Sequence, residues 1–138
     1  DILLDRDFSL TSLVQCHRDS RLNPVATMVL REDENSSSYG EISVDEDGQV
    51  VGFLGDHYSE NPGVRNLMYL GIQLLTKPFL QFFDEENTVC SVTRDVYPKV
   101  LAAGLPVDSY IFSGYWCDVG TLERLSKVQG ESDILPIR

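Results

Sequence analysis

The sequence lacks the features that mark membrane-spanning and nucleic-acid-binding proteins. No segment approaches the roughly 18 continuous apolar residues of a membrane span. Lys and Arg together number 11 against 22 Asp and Glu, which gives a formal net charge of -11. A nucleic-acid backbone is bound by clustered cations that displace its counterions, and this chain has few to offer. We therefore expect neither nucleic acid nor an anionic membrane as a partner.

Cysteine is also scarce, and its spacing excludes the usual cysteine-based frameworks. Cys16, Cys90 and Cys117 are odd in number and widely separated, with no CxxC pair and no histidine at zinc-ligand spacing. Disulfide scaffolds and zinc modules are therefore not expected. Reduced thiols and a cytoplasmic location fit this usage best.

The remaining composition is that of a globular domain with an acidic surface. Of the 138 residues, 42% are apolar and 24% are charged, which is enough for one normal core. The chain opens directly on the apolar run after Asp1, which is typical of the middle of a strand and predicts missing upstream sequence. An acidic protein can still bind a phosphorylated ligand when a divalent cation lies between its carboxylates and the phosphates.

Apolar runs alternate with amphipathic segments along the chain, and one pair of runs flanks an Asp-Gly turn. Alternating strands and helices predict an α/β layered domain with a mixed, mostly parallel sheet over residues 1–129, followed by a loosely held tail, 130–138. The predicted strands are 1–4, 25–30, a hairpin within 39–54, 67–75, 107–112 and 115–117. The predicted helices are 9–19, 76–83, 96–103 and 121–129.

Polar residues that directly follow an apolar strand are the first candidates for a site, because ligands gather at the carboxyl ends of strands in open α/β sheets. Asp118 has this position, and Asp1 stands with Asp5 and Asp7 near the start of the chain. Read singly, each acid is more often a turn or capping residue than a ligand. One or two carboxylates per site are what Mg²⁺ normally uses, but spacing alone does not bring two distant aspartates together.

Five ordered segments resemble the sugar-1-phosphate nucleotidyltransferases, the group that includes glucose-1-phosphate thymidylyltransferases and mannose-1-phosphate guanylyltransferases. The last is the most specific, since residues 114–121 read Gly-Tyr-Trp-Cys-Asp-Val-Gly-Thr and follow the family's Gly-Tyr-Trp-x-Asp-Val-Gly-Thr ending. The others are Asp1-Ile2-Leu3, Tyr39-Gly40 with the hairpin 45–53, Leu70-Gly71-Ile72 and the stretch 94–98, Arg-Asp-Val-Tyr-Pro.

The resemblance implies a Rossmann-like nucleotidyltransferase fold, here its C-terminal part only, and a set of site residues. Asp1 and Asp118 would be the catalytic aspartates that jointly hold Mg²⁺. Gly40, Gly71 and Tyr69 would bind the sugar substrate. The implied reaction joins a sugar 1-phosphate to a nucleoside triphosphate and releases pyrophosphate, so those two molecules are the expected partners. The complete protein is expected to be an enzyme and the 138-residue chain alone to be inactive.

The chain departs from the family pattern where the sugar phosphate should bind. The family's Glu-Lys-Pro aligns with Gly55-Asp56-His57, and Thr93 stands where a sugar-contacting Glu is usual. Either Lys77, Arg65 or another cation replaces the lost Lys, or the sugar-phosphate site is gone. The alternative function is therefore a non-catalytic regulatory or assembly module of the same fold. A homo-oligomer that covers an exposed sheet edge is a further expectation.

Overall fold

The computed structural model describes residues 2–33, 36, 40–84 and 89–130, and of Lys127 the backbone only. Its strands are β1 (Ile2–Leu4), β2 (Ala26–Arg31), β3 (Glu41–Val44), β4 (Val50–Phe53), β5 (Asp56–His57), β6 (Arg65–Leu75), β7 (Val107–Ile111) and β8 (Trp116–Asp118). Its helices are α1 (Leu10–Asp19), α2 (Lys77–Leu80), α3 (Tyr97–Ala102) and α4 (Leu122–Gly130), and a π-helical turn, Val92–Val96, leads into α3. Asp1 and residues 131–138 of the expected tail lie outside the described residues.

The strands form a mixed sheet, and the α/β class expected from the sequence is confirmed. Six strands follow the order β5-β4-β3-β6-β2-β7, while β1 and β8 form a separate antiparallel pair. The expectation of a mostly parallel sheet is wrong for the described strands: β2 and β7 are parallel, but the other pairings are antiparallel. The short connections of the β3–β4–β5 meander force neighbouring strands to run in opposite directions.

Strand β2 lies at the centre of the core because helices cover both faces of the sheet. Met28 and Leu30 belong to one apolar cluster, which includes Tyr97 of α3, whereas Val29 belongs to a second cluster with Leu13 of α1. Successive side chains of a strand point to opposite faces, so the continuous apolar run of β2 supplies both clusters. All three strand residues are fully buried.

The local signals predicted the hairpin and the ends of α1 and α3 well. Asp45 is buried at the hairpin turn, and its Oδ1 accepts hydrogen bonds from the backbone N–H of Asp47 at 3.0 Å and of Gln49 at 2.9 Å. The Asp45 carboxylate therefore stabilises the hairpin turn. Ser9 caps α1 by accepting a hydrogen bond from the backbone N–H of Ser12 at 3.2 Å.

Two further observations concern the cysteines and the helices. Cys16, Cys90 and Cys117 are all unpaired thiols. Within the described ranges, no helix combines the length and apolar character that crossing a membrane requires.

Candidate functional site

A cavity of about 500 Å³ opens between the hairpin, β6 and the π-helical turn that precedes α3. It contains Gly40 and Tyr69, two of the residues that the sequence assigned to substrate binding, together with Thr93 and Arg94. The complete lining is Gly40, Ile42, Phe53, Leu54, Tyr69, Thr93 and Arg94. An apolar wall with a few polar groups is the usual form of a small-molecule site.

Tyr69 supplies a hydroxyl that stays protonated at the wall of this cavity. Burial raises the pKa of Tyr69 to about 12, because an apolar environment disfavours the phenolate. The side chain therefore remains neutral at physiological pH. It can donate a hydrogen bond to an oxygen of a ligand in the cavity.

Gly40 and Leu54 form the rim of the cavity and are in close contact. A β-carbon at Gly40 would approach Leu54 Cδ2 to 2.7 Å, so this position has no room for a larger residue unless Leu54 moves. Leu54 has a φ of 52° although it is not glycine, and its side chain is 47% exposed. Such a backbone conformation is uncommon for a branched residue and clusters at functional sites.

Arg94 is the one Lys or Arg among the described residues that line this cavity. Arg65, a candidate from the sequence, faces Glu32 instead, at 3.9 Å between Nη1 and Oε1. Asp56, which aligns with the family's lost Lys, is exposed on edge strand β5 and does not line the cavity. Arg94 is therefore the cation of this cavity. The sequence analysis placed it in the stretch 94–98 that resembles the family but assigned it no function.

Asp118 ends β8, and the β1–β8 ladder sets it directly opposite Ile2 in register. Its Oδ1 accepts a hydrogen bond from the backbone N–H of Gly120 at 2.8 Å, and its Oδ2 forms an ion pair with Arg124. Asp1, the predicted partner of Asp118 at the metal, lies outside the described residues. The next residue in the sequence, Ile2, is the one that pairs with Asp118. Within the described ranges no cluster of three or more potential metal ligands occurs.

Gly71 lies in β6, where this strand contacts Ile2 of β1, and it does not line the cavity. Its φ is 82°, and a β-carbon there would approach Ile2 Cδ1 to 2.7 Å. Trp116 of β8 also reaches β6, where its indole N–H donates to the carbonyl oxygen of Leu70 at 3.2 Å. The missing side chain of Gly71 thus makes room for the strand that pairs with Asp118, and Tyr69 of the cavity is two residues away on β6.

We expect Gly71→Ala to lower the free energy of unfolding by about 1–2 kcal/mol, because alanine disfavours a positive φ and its methyl group meets Ile2. Chemical denaturation of Gly71→Ala and of the double variant with Ile2→Ala would measure this. Compared with Ile2→Ala alone, the double variant should lose only the free energy due to the backbone conformation at position 71, since the steric contact with Ile2 is absent in both. Unchanged stability with a raised KM would instead mean that Gly71 acts mainly at the ligand.

A larger cavity, of about 660 Å³, lies on another part of the surface; it contains Arg65 but none of Gly40, Tyr69, Gly71 and Asp118. It is formed by the end of α1, the hairpin turn and β7. Its acids include Asp19, Glu46 and Asp47. The lining also contains Arg21 and Arg65, but its acids outnumber them, whereas Arg94 is the one charged residue among the described residues that line the smaller cavity. The smaller cavity is therefore the better candidate site for a phosphorylated ligand.

The mixed sheet with helices on both faces defines an α/β domain and is consistent with a nucleotide-sugar transferase fold. The sequence profile described as "Nucleotidyl transferase" matches residues 1–132. The chain therefore belongs to the nucleotidyl transferase family.

The similar curated proteins are much longer than this chain. A glucose-1-phosphate adenylyltransferase of Desulforamulus reducens is 27% identical over 132 residues, which cover 91% of this chain and 31% of the relative. The Bacillus subtilis protein of the same name is 30% identical over 99 residues, or 67% of this chain and 25% of the relative. The small subunit from Triticum aestivum is 22% identical over 130 residues, or 80% and 28%. The chain thus spans about a third or less of the length of these relatives.

Proposed function

We propose that the protein containing this chain transfers a nucleotidyl group from a nucleoside triphosphate to a sugar 1-phosphate in a Mg²⁺-dependent reaction. One chain of contacts carries the proposal: Asp118 pairs with Ile2, and Ile2 lies against Gly71, which is two residues from Tyr69 on β6. A metal-binding carboxylate and a sugar pocket must be adjacent for this chemistry. Family membership and the names of the relatives support the same reaction, and a cytoplasmic site of action belongs to the proposal.

Asp118 is suited to hold a divalent cation together with Asp1. Its side chain is 35% exposed and can therefore be reached from solvent, and Mg²⁺ uses one or two hard carboxylates with water and phosphate oxygens. Bound there, Mg²⁺ would neutralise charge on the reacting phosphates.

Arg94 and Tyr69 would bind and orient the sugar phosphate within the cavity. The guanidinium can contact two phosphate oxygens at once, and the Tyr69 hydroxyl can donate one further hydrogen bond. Holding the two substrates in line is the main contribution that a protein makes to phosphoryl chemistry, since no nucleophilic side chain is needed.

Pyrophosphate release by the full-length protein tests the proposal. The purified protein is incubated with Mg²⁺ and each pair from a panel of nucleoside triphosphates and sugar 1-phosphates, and pyrophosphate is followed by a coupled assay. Turnover should require both substrates and the metal. Absence of release with every pair would rule the proposal out.

For Arg94→Ala we expect the KM for the sugar 1-phosphate to rise about 10- to 100-fold, because a charge-assisted hydrogen bond is worth about 1.5–3 kcal/mol. The KM for the nucleotide should change little. Lys99→Ala is the matched control, since Lys99 is an exposed cation on α3 that does not line the cavity. Equal kinetics in both variants would exclude Arg94 from the phosphate site.

The alternative, a non-catalytic module of the same fold, is favoured by one feature of Asp118. Both of its carboxylate oxygens already have partners, Gly120 and Arg124, so the residue could serve structure alone. This function predicts that the biological activity survives the loss of the Asp118 carboxylate.

A further inference from the structure

Arg124 forms an ion pair with the carboxylate that the proposed function assigns to the metal. We propose that Arg124 is a built-in competitor of the divalent cation: it neutralises Asp118 while the metal is absent and must leave when the metal binds. The inference rests on the proposed function, because it takes Asp118 as a metal ligand. It adds a regulatory residue that controls when this ligand becomes available.

The position of Arg124 in its helix is unfavourable unless the side chain has an anionic partner. It lies in the first turn of α4, where its backbone N–H donates to Thr121 Oγ1 at 3.2 Å. The positive end of the helix dipole disfavours a cation there and favours an acid such as the neighbouring Glu123. The ion pair with Asp118 offsets this repulsion and fixes the guanidinium beside the carboxylate.

The carboxylate of Asp118 has little capacity left for a metal while Arg124 is bound. Oδ1 accepts the Gly120 N–H at 2.8 Å, and Oδ2 holds the guanidinium. Mg²⁺ binds oxygen at about 2.0–2.1 Å and demands near-octahedral geometry, so it would bring a second cation against the one already present. Electrostatic repulsion between the two favours the departure of the guanidinium.

Both side chains are free enough for this exchange. The Arg124 side chain is 43% exposed and that of Asp118 is 35% exposed. The long arginine can therefore swing into solvent, or onto a phosphate of an arriving ligand, without repacking the core.

Mn²⁺ binding tests the inference without relying on activity. Electron paramagnetic resonance titrations of the full-length protein would compare the wild type, Arg124→Ala, Asp118→Asn and the double variant. Arg124→Ala should bind Mn²⁺ about tenfold more tightly or better, since a competing cation has been removed. Asp118→Asn should abolish this site in either background. Arg18→Ala removes the same charge from an exposed position on α1 and should leave the affinity within about twofold.

Two further measurements keep the test decisive if Arg124→Ala folds poorly. Arg124→Gln keeps the length of the side chain without its charge and should show the same gain. In the wild type, the Arg124 Nε–H resonance should move when Mg²⁺ is added, and this shift should vanish in Asp118→Asn.

The outcomes separate this inference from the proposed function. Equal Mn²⁺ affinity with and without Arg124, lost in both cases with Asp118→Asn, would overturn the inference and leave the metal site intact. No Asp118-dependent binding in any variant would overturn the metal site itself.

Discussion

Asp118→Asn should lower kcat/KM for nucleotidyl transfer by about 10³-fold. The amide keeps the size of the side chain and can still accept a hydrogen bond from Gly120, but it has no charge with which to hold a divalent cation. A metal at the reacting phosphates is worth several kcal/mol of transition-state stabilisation, and each 1.4 kcal/mol is about tenfold in rate. Steady-state pyrophosphate release at saturating Mg²⁺ measures the effect.

Asp7→Asn is the matched control for this prediction. Asp7 is an exposed carboxylate just before α1, and its replacement changes the net charge by the same amount. Its activity should remain within about twofold of the wild type, as expected for a surface charge in high dielectric. Full activity in Asp118→Asn, with an unchanged dependence on Mg²⁺, would contradict the catalytic role of Asp118 and favour the non-catalytic module.

Tyr97→Ala should lower the free energy of unfolding by about 3–5 kcal/mol, the range found when a buried aromatic side chain is truncated. Tyr97 is fully buried and is stacked against Phe53 at 5.4 Å between ring centroids, while Phe79 meets it edge-on at 4.9 Å. The hairpin, α2 and α3 all contribute to this aromatic cluster, so a cavity there loosens three elements at once. Urea denaturation followed by circular dichroism measures the loss.

Tyr97→Phe separates packing from the polar end of the same side chain. The Tyr97 hydroxyl donates to Gln73 Oε1 at 2.7 Å, and losing this bond should cost only about 1 kcal/mol. Burial, with Tyr69 as a lesser cause, raises the pKa of Tyr97 above its ordinary value of 10. The unfolded chain therefore releases this proton first, and stability should fall as the pH rises above about 10. Tyr97→Phe should flatten this decline; an equally steep one would contradict the assignment to Tyr97.

The features that sequence patterns predicted correctly are local ones. The Asp-Gly hairpin and the Ser9 cap depend on contacts within about four residues, so the residue types alone indicate them. Asp118 was a candidate from its place after a strand and from the family ending around it. Its pairing with a metal stays a prediction, because Asp1 lies outside the described residues.

Most of the errors and omissions concern contacts between distant segments; the pairing of Arg124 with Asp118, six residues away, is the local one. The direction of β6 relative to β2 depends on how the intervening hairpin folds back, which no local pattern reveals, so the sheet was expected to be mostly parallel. Arg94 lines the cavity because it lies in the π-helical turn before α3, which no local pattern predicted. The one sequence signal for Arg124 was a cation in the first turn of a helix, where an acid is favoured.

By itself the sequence determined the α/β class, the hairpin, the helix starts and the family, because these depend on periodicity, turn chemistry and short ordered motifs. Tertiary structure alone decided which cation lines the cavity and which strand Gly71 accommodates. The physical reason is that a site is made by side chains far apart in the chain. Their distances depend on packing and strand register, and a linear pattern encodes neither.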